Sequence, residues 1–459
     1  MSLENLFNEL QTLLGSRFST NQSVREVHGR DESYHPQQLP DAVVMVHSTE
    51  EVSAIVKLCA EHQCPIIPFG AGTSLEGQVI PLKGGISIDF TEMNQVLRVG
   101  DEDLDATVQA GLTRRQLNTH LRDTGLFFPV DPGADATFGG MAATRASGTN
   151  AVRYGTMREN VLGLTVVMAD GQIIKTGGRA RKSASGYDLT KLMIGSEGTL
   201  GIITELTIRL FGRPEAMAAA VCDFSTLEGA VNTVIQTIQL GIPVARIELL
   251  DEVQIDAINK FSNLDYPLKP TLFLEFHGTE IGVKDQANLV SELAEDNGGG
   301  EFQWSDKEEE KNKLWRARHD AAYACMALKP GAGMWATDVC VPVSRLAECI
   351  LETRKDIDAT GLLAPIVGHV GDGNFHTVML VEKDNEAHMQ TCIAFNERLL
   401  KRALDMGGTI TGEHGIGFGK RKFLREEHGA AVDVMRTIKA ALDPQNILNP
   451  GKIVNLDES

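Results

Sequence analysis

Strand-like and helix-like segments alternate along this chain from Ala42, and the alternation is interrupted once, at Gly212-Arg213-Pro214. Before the interruption, an apolar run, a helix opened by the capping box Ser48-x-x-Glu51 and the run PIIPFG indicate a β-α-β unit. After it, the strand-like runs AAAVCDF and TLFLEFHG alternate with helical stretches, and a charged helix is predicted from about Lys307 to Leu328. Because 459 residues are more than one hydrophobic core accommodates, we predict an α+β protein of two or three domains.

Shorter signals predict individual elements. The N-terminal segment has apolar residues at helical spacing and is predicted to form a helix that ends at Gly15. The capping box Thr113-x-x-Gln116 predicts a helix that ends at Gly125, and Asp170-Gly171 predicts a hairpin. The last helix is predicted near 430–441.

The composition argues against several classes of protein. Sixty-two acidic and 43 basic residues give a formal net charge of −19, and no cluster of Lys and Arg forms the basic stripe that nucleic acids require. The seven cysteines include no CxxC pair, which argues against a disulfide framework and an iron–sulfur cluster and favours a reducing compartment. The N-terminus does not resemble a signal or transit peptide, and no apolar run reaches the ~18 residues of a membrane span. We therefore predict a cytoplasmic protein, or one peripheral at the inner membrane face, without a transmembrane segment or a nucleic-acid partner.

Two histidines flank a glycine-rich reversal in IVGHVGDGNFHTVM, residues 366–379. If Gly371-Asp372-Gly373-Asn374 form the loop of a hairpin, Val370 pairs with Phe375 and His369 lies opposite His376 on the same face. Two imidazoles in this arrangement can bind one metal ion, although a lone buried histidine is more often structural.

A third ligand is expected from Glu413 in TITGEHGIGFGK, a loop whose glycines allow close approach to a bound molecule. A His–His–Glu set leaves coordination positions open, so the ion can hold a substrate hydroxyl and lower its pKa while His414 removes the proton. A solvated loop with a helix-capping charge is the alternative interpretation of Glu413-His414.

Four tracts of small residues, at 68–77, 129–144, 146–156 and 195–204, suggest a chain laid repeatedly against one large flat ligand. In the first, PFGAGTSLEG, backbone N–H groups could surround a pyrophosphate. It is not a Rossmann GxGxxG, and GIGFGK at 415–420 is not a Walker loop, which disfavours nicotinamide and ATP. Tight turns in a large α+β protein explain any one tract but not all four.

The chain resembles, over nearly its whole length, the FAD-dependent D-lactate dehydrogenases of the vanillyl-alcohol-oxidase-like (PCMH-type) flavoprotein superfamily, in their mitochondrial, cytochrome-linked form. The motifs that carry the resemblance occur here in the family's order: PFGAGTSLEG, FPVDPGADAT, ASGTNAVRYGTMR, GSEGTLG, TDVCVPVSRL, GHVGDGNFH, TGEHGIGFGKR and NPGK.

The resemblance implies a PCMH/VAO-type, two-subdomain FAD-binding domain at 1–213, an α+β substrate cap domain at 214–410 and a C-terminal segment at 411–459 that returns to the flavin. It implies that the pyrophosphate is wrapped by one loop, that other residues line the FAD or lie nearer its adenosine, and that an asparagine approaches the isoalloxazine. In that order, these are Gly70, Ala71, Gly72, Thr73 and Ser74; Asp131, Pro132, Gly139, Gly140, Ser147, Gly148 and Tyr154; Glu197, Gly198 and Ile203; and Asn449.

The resemblance further implies that His369, His376 and Glu413 bind zinc, manganese or iron and that His414 is the general base. Arg318, in LWRARHD, matches an arginine that binds the substrate carboxylate, a task that suits the guanidinium group. The alternative is a solvated arginine on a charged helix.

Departures from relatives narrow these expectations. Ala336 stands where a dehydrogenase of D-2-hydroxyglutarate would need a cation, so a small substrate is predicted. The loop at 68–77 lacks the histidine of many covalent flavoproteins, which predicts non-covalent FAD. No mitochondrial leader is recognised, which favours a bacterial cytoplasmic form.

The sequence therefore predicts oxidation of a D-2-hydroxy acid, D-lactate first, by hydride transfer to flavin N5. Because no haem or iron–sulfur motif is present, a separate cytochrome, quinone or electron-transfer flavoprotein is expected to accept the electrons. Glycolate, D-2-hydroxyglutarate or a bulkier D-2-hydroxy acid remains an alternative substrate, and a non-catalytic FAD-binding subunit of a larger oxidoreductase is the alternative from another class.

Overall fold

Seventeen α-helices and nineteen strands occur in the computed structural model, which describes residues 3–457. The helices are α1 Leu3–Leu14, α2 Gln22–His28, α3 Thr49–Glu61, α4 Arg114–His120, α5 Phe138–Thr144, α6 Ala151–Tyr154, α7 Met157–Asn160, α8 Leu189–Met193, α9 Leu227–Gln239, α10 Glu252–Ser262, α11 Glu280–Asp296, α12 Glu308–His319, α13 Ala321–Leu328, α14 Leu346–Thr360, α15 Glu386–Asp405, α16 Leu424–His428 and α17 Ala431–Leu442. The strands are β1 Phe18–Ser19, β2 Ala42–Met45, β3 Ile66–Phe69, β4 Ile86–Asp89, β5 Val96–Gly100, β6 Asp105–Gln109, β7 Leu126–Phe127, β8 Val161–Val167, β9 Ile173–Gly177, β10 Ile202–Arg209, β11 Phe211–Gly212, β12 Ala216–Asp223, β13 Val244–Leu250, β14 Thr271–Gly278, β15 Gln303–Ser305, β16 Gly333–Ala336, β17 Val339–Cys340, β18 Ile366–Gly368 and β19 Asn374–Val381.

The chain divides into two compact units. The first unit consists of Met1–Ser147, Gly155–Arg213 and Glu413–Ser459, and the second of Gly148–Tyr154 and Pro214–Gly412. The mixture of helices and sheets in both units confirms the predicted α+β class.

Two main sheets organise the first unit. One has the strand order β1-β2-β4-β3, in which β2 and β3 both pair with β4 in parallel. The other has the order β5-β6-β10-β8-β9 and is antiparallel. Side chains from both sheets, α1, α3 and α5 join one hydrophobic core. The loop that follows β3, residues 70–74 (the β3 loop), therefore extends from the carboxyl end of a buried parallel strand. This is a position where α/β proteins often bind ligands.

Most local predictions in the first unit are confirmed. Helix α1 buries Leu6, Leu10 and Leu14, β2-α3-β3 forms the predicted β-α-β unit, and β8 and β9 form the hairpin around Asp170-Gly171. The capping box at Thr113 is complete. The capping box at Ser48 is half formed, because the carboxylate of Glu51 accepts the backbone N–H of His47 and pairs with Arg17 instead.

The predicted end of α4 at Gly125 is wrong, since the helix ends at His120. The side chain of Asn118 exchanges two hydrogen bonds with the backbone of Phe128, at 2.8 and 3.1 Å, and thereby holds the returning chain beside the helix.

An antiparallel sheet with the order β15-β12-β14-β13-β18-β19-β16 is the framework of the second unit, and β17 pairs with β19 beside this path. Helices α10, α12 and α13 pack on one face of this sheet and form a hydrophobic cluster with it. Phe273, Val367 and Val378 are among the strand residues of that face in the cluster. Arg246 and Glu248 of β13 and His376 of β19 follow the same alternation as this face, so polar groups occupy part of a largely apolar surface.

The single charged helix predicted from about Lys307 to Leu328 is wrong. Two helices occupy this stretch, and Asp320 separates α12 from α13. Arg318 lies in the last turn of α12.

Candidate active site and metal centre

His369 and His376 lie close together in the second unit. Their ring centroids are 5.6 Å apart with an interplanar angle of 84°, and a ring nitrogen of each lies within 4.8 Å of one of the other. Both side chains are largely buried. The structure therefore brings together the two histidines that the sequence pairs across a turn.

The predicted register of this hairpin is wrong: the loop lies one residue earlier than predicted, which shifts the cross-strand partners by two residues. Val367, not His369, pairs with His376, and the loop is a 3-10 turn at Val370–Asp372 closed by Gly373 at φ 80°. Asn374 belongs to the strand because its side-chain amide donates to Asp338 and to the carbonyl of Val339, at 2.7 and 2.8 Å. His369 consequently faces Asn374 and is the diagonal neighbour of His376, which keeps the two imidazoles on one face.

The hydrogen bonds of the two imidazoles determine their tautomers. Nδ1 of His376 lies 2.9 Å from the carbonyl oxygen of Thr337, and because that oxygen can only accept, Nδ1 carries the proton. Nδ1 of His369 lies 2.8 Å from Oε1 of Glu248 and donates to that carboxylate. When the rings are neutral, Nε2 of each then bears the lone pair, which is the form that a metal ligand requires. The donor set of this hairpin therefore fits a divalent ion.

Glu248 also binds the arginine predicted to recognise the substrate. Nη2 and Nε of Arg318 donate to Oε2 of Glu248 at 2.6 and 2.9 Å, and the arginine side chain is only 11% exposed. Burial alone would raise the pKa of Glu248, but the charges and hydrogen bonds of His369 and Arg318 lower it below its ordinary value. The alternative that Arg318 is a solvated surface arginine is excluded by these contacts.

Ala336 lies on the sheet face that carries His376. It pairs with Val378, two residues beyond His376 on β19, so the three side chains project in the same direction. A methyl group at this position supplies neither charge nor hydrogen bonds to a second carboxylate.

A second Arg–carboxylate–His arrangement lies on the neighbouring strand β14. His277 Nε2 is 2.7 Å from Glu275, whose other oxygen is 3.6 Å from Arg246, and His277 Nδ1 is 2.7 Å from the hydroxyl of Tyr154. Tyr154, a predicted FAD contact, is thus fixed by a buried histidine and carboxylate of the second unit.

Asp338 ties the hairpin to the last residues of the second unit. Its carboxylate accepts from Asn374 at 2.7 Å and from the hydroxyl of Thr411 at 2.6 Å. A Cβ at Gly412 would lie within 3.0 Å of the Asn374 amide group. The chain immediately before Glu413 is therefore fixed beside the histidine hairpin.

In the first unit, the predicted pyrophosphate loop Gly70–Ser74 follows β3 and is half-buried to exposed. A Cβ at Gly70 would lie closer than 3.0 Å to the hydroxyl of Thr137, which caps α5. The backbone of Gly139, in the same helix, donates to the carbonyl of Ala110 at 2.7 Å. The β3 loop and the tract at 129–144 therefore meet, as a shared ligand requires.

The remaining predicted cofactor residues fall into two groups. Asp131, Ser147, Glu197, Ile203 and Asn449 are buried in the first unit, where Pro132 and Gly140 are partly exposed and Gly198 has φ 70°. Gly148 and Tyr154 belong to the second unit. Their contacts with FAD stay predictions.

Glu197 and Gln78 hold the loop that contains His414. Both carboxylate oxygens of Glu197 accept backbone N–H groups, from Ile416 at 2.7 Å and Gly417 at 2.8 Å. The side chain of Gln78 donates to the carbonyl of His414 at 2.7 Å. The amide of Asn449 donates to the carbonyls of Gln78 and Glu197 at 2.9 and 2.8 Å. Residues from four separate parts of the chain thus meet in the first unit.

Sequence reasoning missed several residues of these networks, of which four bear most directly on the proposed site. Glu248 and Thr337 orient the two histidines, and Gln78 holds the loop of His414. The Lys452 ammonium donates to the carbonyls of Gly77 and Ile80 and so fixes the chain that follows the predicted pyrophosphate loop. Burial lowers the pKa of Lys452 to about 7. The one available signal was a polar residue inside an apolar strand, as Glu248 is in VARIELL.

Replacing Gly77 with alanine is expected to destabilise the first unit. Gly77 has φ 77°, and an added Cβ would lie closer than 3.0 Å to ring carbons of Phe418. Left-handed strain and overpacking together should lower the free energy of unfolding by about 2–5 kcal/mol. Urea unfolding of Gly77→Ala and Gly15→Ala tests this, because Gly15 has φ 59° with nothing within 4 Å and should lose only about 1–2 kcal/mol. Equal losses would contradict the packing assigned to Phe418.

Glu197 should make stability depend on pH. Burial raises its pKa from 4.5 to about 7, so between these values the folded chain binds more protons than the unfolded one and the unfolding free energy falls as pH rises. The loss should reach about 3 kcal/mol above pH 7 and be absent below pH 4.5. Glu197→Gln removes this dependence, so its unfolding free energy relative to the wild type should rise from pH 5 to pH 8. A constant difference over that range would contradict the assignment.

Comparison with known proteins identifies the class. Residues 213–453 match the family described as FAD linked oxidases, C-terminal domain, and residues 40–177 match the family described as FAD binding domain. The solved structure of p-cresol methylhydroxylase with substrate bound superposes with a TM-score of 0.81 at 17% identity and covers 99% of this chain and 98% of that one, which shows a shared fold. The fold class expected from the resemblance is thereby confirmed, and the chain is an FAD-dependent oxidoreductase.

Two relatives narrow the class. The probable mitochondrial D-lactate dehydrogenase of Danio rerio is 53% identical over 463 residues, which cover 100% of this chain and 93% of that protein. The mitochondrial D-lactate dehydrogenase [cytochrome] of Arabidopsis thaliana is 46% identical over 452 residues, 98% of this chain and 80% of that protein. The chain therefore belongs to the family of the FAD-linked D-lactate dehydrogenases, as the sequence motifs predicted.

Between residues 3 and 457, no helix combines the length and apolar character needed to cross a bilayer. Both relatives are named as mitochondrial, so the predicted cytoplasmic location is not confirmed and stays a prediction.

Proposed function

We propose that this chain oxidises D-lactate to pyruvate with FAD and a divalent metal ion. The observation that carries the proposal is the continuous contact His369–Glu248–Arg318, which combines a metal-binding imidazole with a cation suited to a 2-hydroxy acid's carboxylate. The choice of D-lactate rests on the names of the two relatives.

The proposed ligands are His369, His376 and Glu413. The tautomers of both histidines support their part, since Nδ1 is protonated in each. For Glu413 the support is its position in the chain. It directly follows Gly412, which packs on Asn374, two residues before His376. Consecutive Cα atoms are only about 3.8 Å apart, so Glu413 begins close to the histidine hairpin. A carboxylate with two imidazoles is the donor set of many open zinc sites, and manganese or iron also suits it.

His414 is the proposed general base, which takes the proton of the substrate hydroxyl. Gln78 donates to the backbone carbonyl of His414, and Glu197 accepts the backbone N–H groups of Ile416 and Gly417, so the imidazole is attached to a fixed backbone. When bound, FAD supplies the hydride acceptor at N5 and the metal ion supplies a Lewis acid. The chain's own contribution is position and charge: Arg318 for the carboxylate and His414 for the proton.

A small substrate is proposed because Ala336 faces the region of His376. D-2-Hydroxyglutarate would leave its distal carboxylate without a cation at this position, which costs binding energy. FAD is proposed to be non-covalent, and acid precipitation should then release the flavin into the supernatant. A separate electron acceptor, a cytochrome by analogy with the name of the Arabidopsis relative, is proposed to reoxidise it.

Anaerobic mixing with single substrates tests the function. D-lactate should bleach the flavin absorbance of the purified protein, L-lactate should not, and glycolate and D-2-hydroxyglutarate should do so less efficiently. Failure of D-lactate to bleach the flavin would refute the proposal and favour a non-catalytic FAD-binding subunit.

A further inference from the structure

Glu248 contacts both His369 and Arg318, two residues of the candidate site that lie far apart in the sequence. We propose that Glu248 is a positioning residue that orients a metal ligand and the substrate-binding arginine together, with one carboxylate oxygen assigned to each. The inference rests on the function proposed above and extends it. It makes metal affinity and substrate affinity depend on one side chain that contacts neither the metal ion nor the substrate.

The strand register explains how Glu248 reaches both partners. On β13, Leu250 pairs with Val367 and Leu249 with Gly368, so the same register places Glu248 opposite His369. Oε1 of Glu248 is 2.8 Å from His369 Nδ1, while Oε2 accepts from Nη2 and Nε of Arg318. The Glu248 side chain is 1% exposed, so water does not compete for these contacts.

Each contact has a separate consequence. The bond to Oε1 fixes the plane of the His369 ring and the proton on Nδ1, which directs the Nε2 lone pair to an ion. The bonds to Oε2 use two of the five N–H donors of Arg318 and leave three for a carboxylate, in an orientation set by the protein rather than by the substrate. The carboxylate also offsets the charge of a buried guanidinium when no substrate is bound.

Glu275 supplies a matched control. It is a buried carboxylate on the adjacent strand, and it too lies between an arginine and a histidine, Arg246 and His277. His277, however, uses its second nitrogen to contact the hydroxyl of Tyr154 and is not a proposed ligand. Loss of Glu275 should therefore disturb a similar ion network without changing the proposed metal centre.

The test compares Glu248→Gln and Glu275→Gln with the wild-type, FAD-containing protein. A glutamine at 248 has one acceptor oxygen, so either the His369 N–H or the Arg318 N–H groups must face an amide NH₂ group. Zinc affinity is measured with Zn²⁺ and a competing fluorescent chelator, and KM and kcat for D-lactate with a dye as acceptor. FAD content and urea unfolding report on folding.

For Glu248→Gln, Zn²⁺ binding should weaken about 10–100-fold and KM for D-lactate should rise about tenfold or more. Glu275→Gln should keep the wild-type Zn²⁺ affinity within about twofold. Unchanged Zn²⁺ affinity in Glu248→Gln, or equal weakening in both variants, would overturn the inference. If the wild type itself binds neither Zn²⁺ nor Mn²⁺, or is not reduced by D-lactate, the proposed function fails instead. Should Glu248→Gln not fold, Glu248→Asp, which keeps the charge beside Arg318 but is too short to hold both partners, takes its place with the same two outcomes.

Discussion

Replacing His414 with alanine is expected to slow the reduction of the flavin by D-lactate about 10²- to 10⁴-fold, the range that a general base contributes. FAD should remain bound, because Gln78 and Glu197 contact only the backbone of this loop. Rapid mixing under anaerobic conditions measures the rate, and the flavin spectrum measures FAD content.

His428→Ala is the control for this change. His428 lies in the same C-terminal segment, on α16, and pairs at 3.5 Å with Glu427 on the surface. D-lactate should reduce the flavin of His428→Ala at the wild-type rate. Near-normal reduction of His414→Ala would refute the assignment of the base.

Replacing His376 with alanine is expected to weaken Zn²⁺ binding more than about 100-fold, since even the partners of metal ligands contribute 10–100-fold. His376 is the better choice of the two histidines because its Nδ1 partner is a backbone carbonyl, whereas loss of His369 would leave the carboxylate of Glu248 with one contact fewer. Chelator competition measures the Zn²⁺ affinity. The rate of flavin reduction should also fall when the metal concentration is too low to saturate the weakened site.

His277→Ala serves as the matched variant, because His277 is also buried on this sheet and hydrogen-bonded at both nitrogens. Its Zn²⁺ affinity should stay at the wild-type value. If His376→Ala also retained that value, His376 would be a structural histidine and the metal centre would lie elsewhere.

Local signals predicted the elements of this fold well. The spacing of Leu6, Leu10 and Leu14 predicts α1, and the capping box at Thr113 predicts the start of α4, because both depend on residues within one or two turns. The break at Gly212-Arg213-Pro214 coincides with a boundary between the two compact units. No local signal predicts that Gly148–Tyr154 belongs to the second unit. Its place there depends on distant contacts, such as that of Tyr154 with His277, 123 residues away.

The candidate site was predictable in its residues and less so in its geometry. Two histidines around a glycine-rich turn indicate a shared face, but the register was shifted because Asp338, 36 residues away, draws Asn374 into the strand. Arg318 followed from resemblance, whereas its partner Glu248 did not. Glu248 contacts His369 across 121 residues of sequence, and only the strand order β13-β18-β19 brings them together.

The most direct measurement follows flavin reduction by D-lactate in one preparation before metal removal, after dialysis against a chelator, and after Zn²⁺ or Mn²⁺ is restored. We expect FAD to stay bound throughout, reduction to be lost with the metal, and one of the two ions to restore it. Reduction at an unchanged rate in protein shown by elemental analysis to be free of metal would contradict the role assigned to the histidine hairpin.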